Sequence, residues 1–135
     1  MSQKELPDRL IDKPLVSAID HCSIIVADTR KALEIYTNIL GLVVDESRPD
    51  LGYPGAWLQV ADSQIHLLEV PNPDTTCNRP QHGGRDHHVA LQVSDLAVVI
   101  ERLEKADISY SKSKSGRNAL FFRDIDGNAI ELVEK

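Results

Sequence analysis

At 135 residues the chain is the size of one ordinary domain, and its 21 acidic against 15 basic side chains give a formal charge of −6. That balance excludes general nucleic-acid binding and an anionic membrane surface as expected roles. No apolar run approaches the roughly 20 residues of a membrane span, the start MSQKELPDRLIDKP has no signal-peptide core, and two cysteines are too few for a secreted disulfide scaffold. The expectation is a soluble, cytoplasmic domain.

Residues 1–16, charged and carrying Pro7 and Pro14, read as an N-terminal arm. Residues 17–135 read as a single domain. Val16 to Val26 has the β-branched, partly alternating pattern of a strand. Asp28 is a candidate N-cap for a helix reaching Leu40, with Ala32, Leu33, Ile35, Tyr36, Ile39 and Leu40 at helical spacing and Gly41 as the stop. Leu42–Glu46, Ala56–Val60 and Gln64–Val70 read as strands, the last two joined by a tight turn at Ala61-Asp62-Ser63. Residues 71–85, with three prolines and two glycines, form a connecting loop. The pattern then restarts. Asp86–Val93 is a strand, Ser94 or Asp95 caps a helix to Ala106, and Ile108–Lys112, Ala119–Arg123 and Ala129–Val133 are strands, with Asp126-Gly127-Asn128 as a turn between the last two.

Both halves, about 17–70 and 86–134, therefore read strand, helix, three strands. They also register by residue: His21 lies 7 before Asp28 and His88 lies 7 before Asp95. The last strand of each half carries His66 or Glu131. Because strand side chains alternate between faces, Cys22, Ile24 and Val26 seat a helix while His21, Ser23 and Ile25 face the other way. The same split sets Ile65 and Leu67 against His66 and Leu68. It sets Val89, Leu91 and Val93 against His88, Ala90 and Gln92, and Ile130 and Leu132 against Glu131.

Four side chains able to bind a metal thus occupy paired repeat positions on corresponding faces: His21, His66, His88 and Glu131. Imidazoles with a carboxylate suit Ni, Zn, Co, Mn or Fe, and His21, His88 and Glu131 form a two-His-one-carboxylate set. Ser23, Trp57, Leu68 and Gln92 are candidate substrate contacts, and Arg79 and Arg85 on the loop are candidates for an anionic substrate group. His82 and His87 read as a solvated loop residue and a structural or partly exposed one, Cys22 as a small core residue, and Arg117 and Arg123 as exposed charges.

With AIDHCSIIVAD, YTNILGL, GAWL, QIHLLEV, DHHVALQV and DIDGNAIELVE in place, the chain resembles the vicinal oxygen chelate superfamily over about residues 17–134. That group includes glyoxalase I, bleomycin-resistance and fosfomycin-resistance proteins, methylmalonyl-CoA epimerase and extradiol dioxygenases. The resemblance implies an α+β fold of two tandem βαβββ modules whose sheets curl around a metal cleft. It implies one divalent ion held by His21, His66, His88 and Glu131, and a homodimer, with the site closed within one chain or across the interface. It also implies a glyoxalase-I-like lyase or isomerase acting on a small substrate with vicinal oxygens through a metal-stabilised enediolate, with Glu131 as ligand and catalytic base.

Two departures bear on the substrate. Ile25 stands where glyoxalase I usually has a glutathione-binding Arg, and Val70 where an Asn is frequent. The expected substrate is therefore not the glutathione adduct. Alternatives are an Fe(II)-dependent dioxygenase, against which a fourth ligand at His66 counts, and a non-catalytic drug-binding protein, against which the full ligand set counts.

Overall fold

The computed structural model describes residues 14–135. Most of the expected N-terminal arm lies outside the described residues; Leu15 and Val16, at its end, are exposed.

The first module runs β1 (His21–Ile25), α1 (Thr29–Leu33), β2 (Val43–Val44), β3 (Gly55–Val60) and β4 (Ser63–Leu68). The second runs β5 (His88–Val93), α2 (Leu96–Lys105), β6 (Tyr110–Lys112), β7 (Ala119–Arg123) and β8 (Ala129–Glu134). Each makes one four-stranded mixed sheet, in the orders β1-β4-β3-β2 and β5-β8-β7-β6. In both, the first strand pairs parallel with the last, and the other neighbours pair antiparallel. A parallel pair needs a crossover, and α1 or α2 supplies it.

The helix starts repeat in atomic detail. Asp28 accepts from the Lys31 N–H at 3.1 Å, and Asp95 from the Ala97 N–H at 3.0 Å. The first N–H of each helix goes to a distant glutamate: Thr29 donates to Glu69 Oε1 at 2.7 Å and Leu96 to Glu134 Oε1 at 2.8 Å. Glu69 and Glu134 each follow by three residues the paired repeat positions His66 and Glu131. They satisfy N–H groups that the first turn of any helix leaves unpaired.

Two elements differ from the sequence reading. The first helix becomes a π-helix over Glu34–Ile39, marked by a Leu40 N–H bond to the Ile35 carbonyl, which brings Ile35, Tyr36 and Ile39 inward. The first strand begins at His21 rather than Val16, because its parallel register on β4 covers residues 21–25 and β4 itself starts at Ser63, one residue before the partner of His21.

One apolar core joins the modules. Tyr36, Leu58, Ile65 and Leu67 from the first pack with Leu103, Leu120, Ile130 and Leu132 from the second. Arg102 ties the helices by donating to the Ile39 carbonyl at 3.1 Å. A polar latch completes the joint. Buried Asp124 accepts from the Tyr36 hydroxyl at 2.7 Å, while Asn128 donates to the Ile25 carbonyl at 2.9 Å and Asp126 accepts from the Ala27 N–H at 3.1 Å. The turn between β7 and β8 is thus docked onto the first module. With this core on one side of both sheets, the opposite faces are left for the histidines.

Candidate metal centre

The register sets who shares a face. In the first sheet, Ser23, His66 and Trp57 are direct cross-strand partners. In the second, Ala90, Glu131 and Phe121 are. Each ligand position on the last strand therefore has an aromatic residue beside it, and the two aromatics occupy equivalent places in the repeat.

His21 and His66 come together. Their rings stack at 4.0 Å between centroids, and Trp57 stacks on the other side of His66 at 4.6 Å. His21 Nδ1 donates to Asp20 at 2.8 Å, which leaves its Nε2 lone pair for another partner. His66 Nε2 donates to Gln64 Oε1 at 2.8 Å, and Gln64 is itself held by Asp45 at 2.8 Å. That leaves the His66 Nδ1 lone pair. Burial, helped by the neighbouring His21, lowers the His66 pKa, and so favours the neutral imidazole that binds metals.

His88 and Glu131 form the other pair. His88 Nδ1 donates to the Asp86 carbonyl at 2.9 Å. Its Nε2 then faces Glu131 Oε1 at 3.3 Å. A lone pair and a carboxylate oxygen this close call for a cation or a proton between them. Two donors bound to one ion at about 2.0–2.2 Å stand roughly 3.0–3.5 Å apart, so the observed spacing fits an ion. Orientation of an imidazole through its second nitrogen is also the usual arrangement around a metal-binding His. Glu131 is a buried carboxylate, 2% exposed. Its other oxygen accepts from Arg117 at 3.0 Å. The donor chemistry of both pairs fits a divalent ion.

The two pairs stay apart. Among the described residues no three His, Cys, Asp or Glu side chains converge on one point. The register of the repeat relates the four residues by pseudo-symmetry without bringing them to one place.

The loop before β5 holds His88 in place. Asp86 is pinned by Arg123 at 2.9 Å and Arg79 at 3.2 Å, and the Arg123 hydrogen bond, with Arg79 assisting, lowers its carboxyl pKa. Arg79 is thus turned to Asp86 and to His87, 3.1 Å away, and away from the candidate substrate position. Arg123 is likewise a structural cation and no free surface charge. His87 lies 3.9 Å from Asp74. Cys22 packs on the core, where burial raises its thiol pKa.

Of the other candidate contacts, Ser23 and Gln92 are exposed on the histidine faces and Leu68 is half-buried. Arg85 lines a hollow of about 340 Å³ together with His82, His88, Arg117, Phe121 and Glu131. Two residues in that hollow escape a reading by ligand spacing. Phe121 meets His88 edge-on at 5.1 Å, and its equivalence to Trp57 in the repeat is the available signal. Arg117 sits on the loop before β7, fourteen residues from Glu131, and carries no sequence signal of its role.

Comparison with known proteins agrees with this architecture. Residues 18–132 match the Glyoxalase/Bleomycin resistance protein/Dioxygenase superfamily, and the chain belongs to that superfamily. It is 27% identical to Glyoxylase I 4 of Arabidopsis thaliana, an alignment covering 87% of this chain and 70% of that one. It is 23% identical to the mitochondrial methylmalonyl-CoA epimerase of Mus musculus, covering 86% and 72%. A Bacillus anthracis protein assigned to the glyoxalase family superposes with a TM-score of 0.72 at 19% identity, covering 91% of this chain and 98% of its own. The relatives so named span several reactions, which leaves the reaction to be argued from this chain's own residues.

Proposed function

We propose that the protein is a divalent-metal-dependent lyase or isomerase of the glyoxalase type, acting on a small substrate with two adjacent oxygens. The observation that carries the reading is the His88–Glu131 pair: an oriented Nε2 lone pair facing a buried carboxylate oxygen at 3.3 Å. His21 and His66 would complete the ligand set. Since they stand apart from that pair within one chain, the ion is held between two protomers of a homodimer, the His21–His66 pair of one and the His88–Glu131 pair of the other.

A divalent ion there supplies Lewis acidity toward the two substrate oxygens. The residues supply the rest. Glu131 Oε1 is the proton carrier. Two further carboxylates are engaged elsewhere: Glu69 caps α1 and Asp50 accepts from the Gly52 N–H at 2.9 Å. Arg117 keeps Oε2 occupied, so Oε1 is the oxygen that would face the ion and, when released from it, take and return a proton. Trp57 and Phe121 each pack against a histidine of one half-site and hold its ring in orientation.

Glutathione does not fit on residue grounds: at position 25 an apolar Ile offers no charge for a carboxylate, and Val70 offers no amide. Protein purified without chelator and reconstituted with Ni, Co, Zn, Mn or Fe is expected to hold one ion per chain by elemental analysis. The methylglyoxal–glutathione hemithioacetal is expected to turn over weakly or not at all. Absence of stoichiometric metal with all five ions would overturn the reading.

A further inference from the structure

The hollow over His88 and Glu131 is lined unevenly in charge. Its floor is His88, Glu131 and Phe121, and its rim carries Arg85, Lys114 and Arg117 with Ser113 and Ser115. Arg117 is already matched by Glu131 at 3.0 Å. Arg85 and Lys114 take part in no ion pair among the described residues. Two uncompensated cations facing one hollow stand out in a chain whose formal charge is −6.

Their position within the hollow is specific. A second hollow of about 460 Å³ adjoins the first and shares with it His82, Arg85 and Lys114, but neither His88 nor Glu131. The boundary between them is His82. Its Nε2 donates to the Lys112 carbonyl at 3.3 Å, its Nδ1 accepts from the Gly84 N–H at 3.0 Å, and its ring packs on Phe121 at 4.9 Å. Gly83 beside it leaves no slack, since a Cβ there would come within 3.2 Å of the Phe121 ring. Arg85 and Lys114 are therefore carried by two segments that meet through His82, at the end of the first hollow away from the His88–Glu131 pair.

We infer that the substrate carries a compact anionic group, phosphonyl, phosphoryl or carboxylate, which Arg85 and Lys114 bind while its adjacent oxygens face His88 and Glu131. Assigning the oxygens to that end rests on the function proposed above; the anion site itself does not. A guanidinium can hold two oxygens of such a group at once, and an ammonium adds a point charge. Of the Ser113 and Ser115 hydroxyls, 2.7 Å apart, one donates to the other, which leaves one O–H as a further donor.

The test is calorimetric titration of the metal-free protein with methylphosphonate and, separately, acetate. At least one is expected to bind, with affinity that falls as salt is raised. The arm that binds tighter identifies the anion. The Arg85→Ala/Lys114→Ala double variant is expected to bind about tenfold or more weakly, whereas Arg85→Lys/Lys114→Arg retains much of the affinity. Co(II) binding, read by absorbance, is expected to be unchanged in both variants.

Should the alanine variant fail to fold, amide NMR shifts of the wild-type protein serve instead. Methylphosphonate or acetate is expected to move Gly84, Arg85 and residues 113–117. Failure of both anions to bind, unchanged affinity in the folded alanine variant, or shifts confined to other regions would overturn the inference. Anion binding with no Co(II) binding would overturn the metal reading alone.

Discussion

Glu131→Gln is expected to lower divalent-metal affinity by about 100-fold or more while leaving the metal-free fold nearly as stable. Loss of groups one shell outside a metal costs about 10–100-fold in affinity or activity, and loss of a ligand sits at or beyond the top of that range. The amide keeps the shape of the carboxylate but removes its charge. In the metal-free protein that charge is buried and costs desolvation energy, which its ion pair with Arg117 offsets. Removing it changes stability by within about 1 kcal/mol, because the amide oxygen still accepts from Arg117.

A purely structural Glu131 gives the opposite pattern. There the lost charge would show in the melting temperature, and metal binding would not change. Isothermal titration with Co(II) and thermal melts of the metal-free variant, measured side by side, separate the two.

The second large effect concerns the joint between modules. Asp124→Ala removes the acceptor for four donors: the Tyr36 hydroxyl at 2.7 Å, the Asp126 and Asn128 N–H groups at 2.9 Å each, and the Asn128 amide at 2.9 Å. Asp124 is 5% exposed and Tyr36 fully buried, so water does not readily replace the lost partner of the tyrosine. Hydrogen bonds to charged groups contribute about 1.5–3 kcal/mol each when buried, with some recovered by water at the turn. The expected net loss is about 3–4 kcal/mol, a fall in Tm on the order of 10 °C for a domain of this size. Tyr36→Phe removes one of the four and is expected to cost about a third as much. Differential scanning calorimetry of the two variants checks both the size and the order. Equal, small effects would mean that the apolar core alone holds the modules together.

The repeat was legible because it is written in residues whose positions are tightly constrained. Asp28 and Asp95 cap helices, and alternation along β4 and β8 fixes which face His66 and Glu131 take. What stayed hidden depends on contacts between distant segments. The π-helix at Glu34–Ile39 retains apolar spacing that a regular helix would also show. Val16 to Asp20 has strand composition, but β4, on which it would continue to pair, starts only at Ser63.

Arg79, Arg117 and Arg123 are alike in sequence terms. The structure divides them by partner: Arg79 and Arg123 clamp Asp86, and Arg117 holds Glu131. Spacing also relates His21 to His88 without stating whether the two share a site, because pseudo-symmetry within a chain and symmetry between chains leave the same register.

That last ambiguity is where the central claim is most exposed. His21→Ala/His66→Ala and His88→Ala/Glu131→Gln variants, each expected to lose the metal alone, are unfolded together, refolded as a mixture and titrated with Co(II). Sites built from two protomers predict recovery of up to about a quarter of the wild-type sites, since half of randomly paired dimers are mixed and each mixed dimer has one intact site. No recovery in a mixture shown by mass spectrometry to contain the mixed dimer would contradict it.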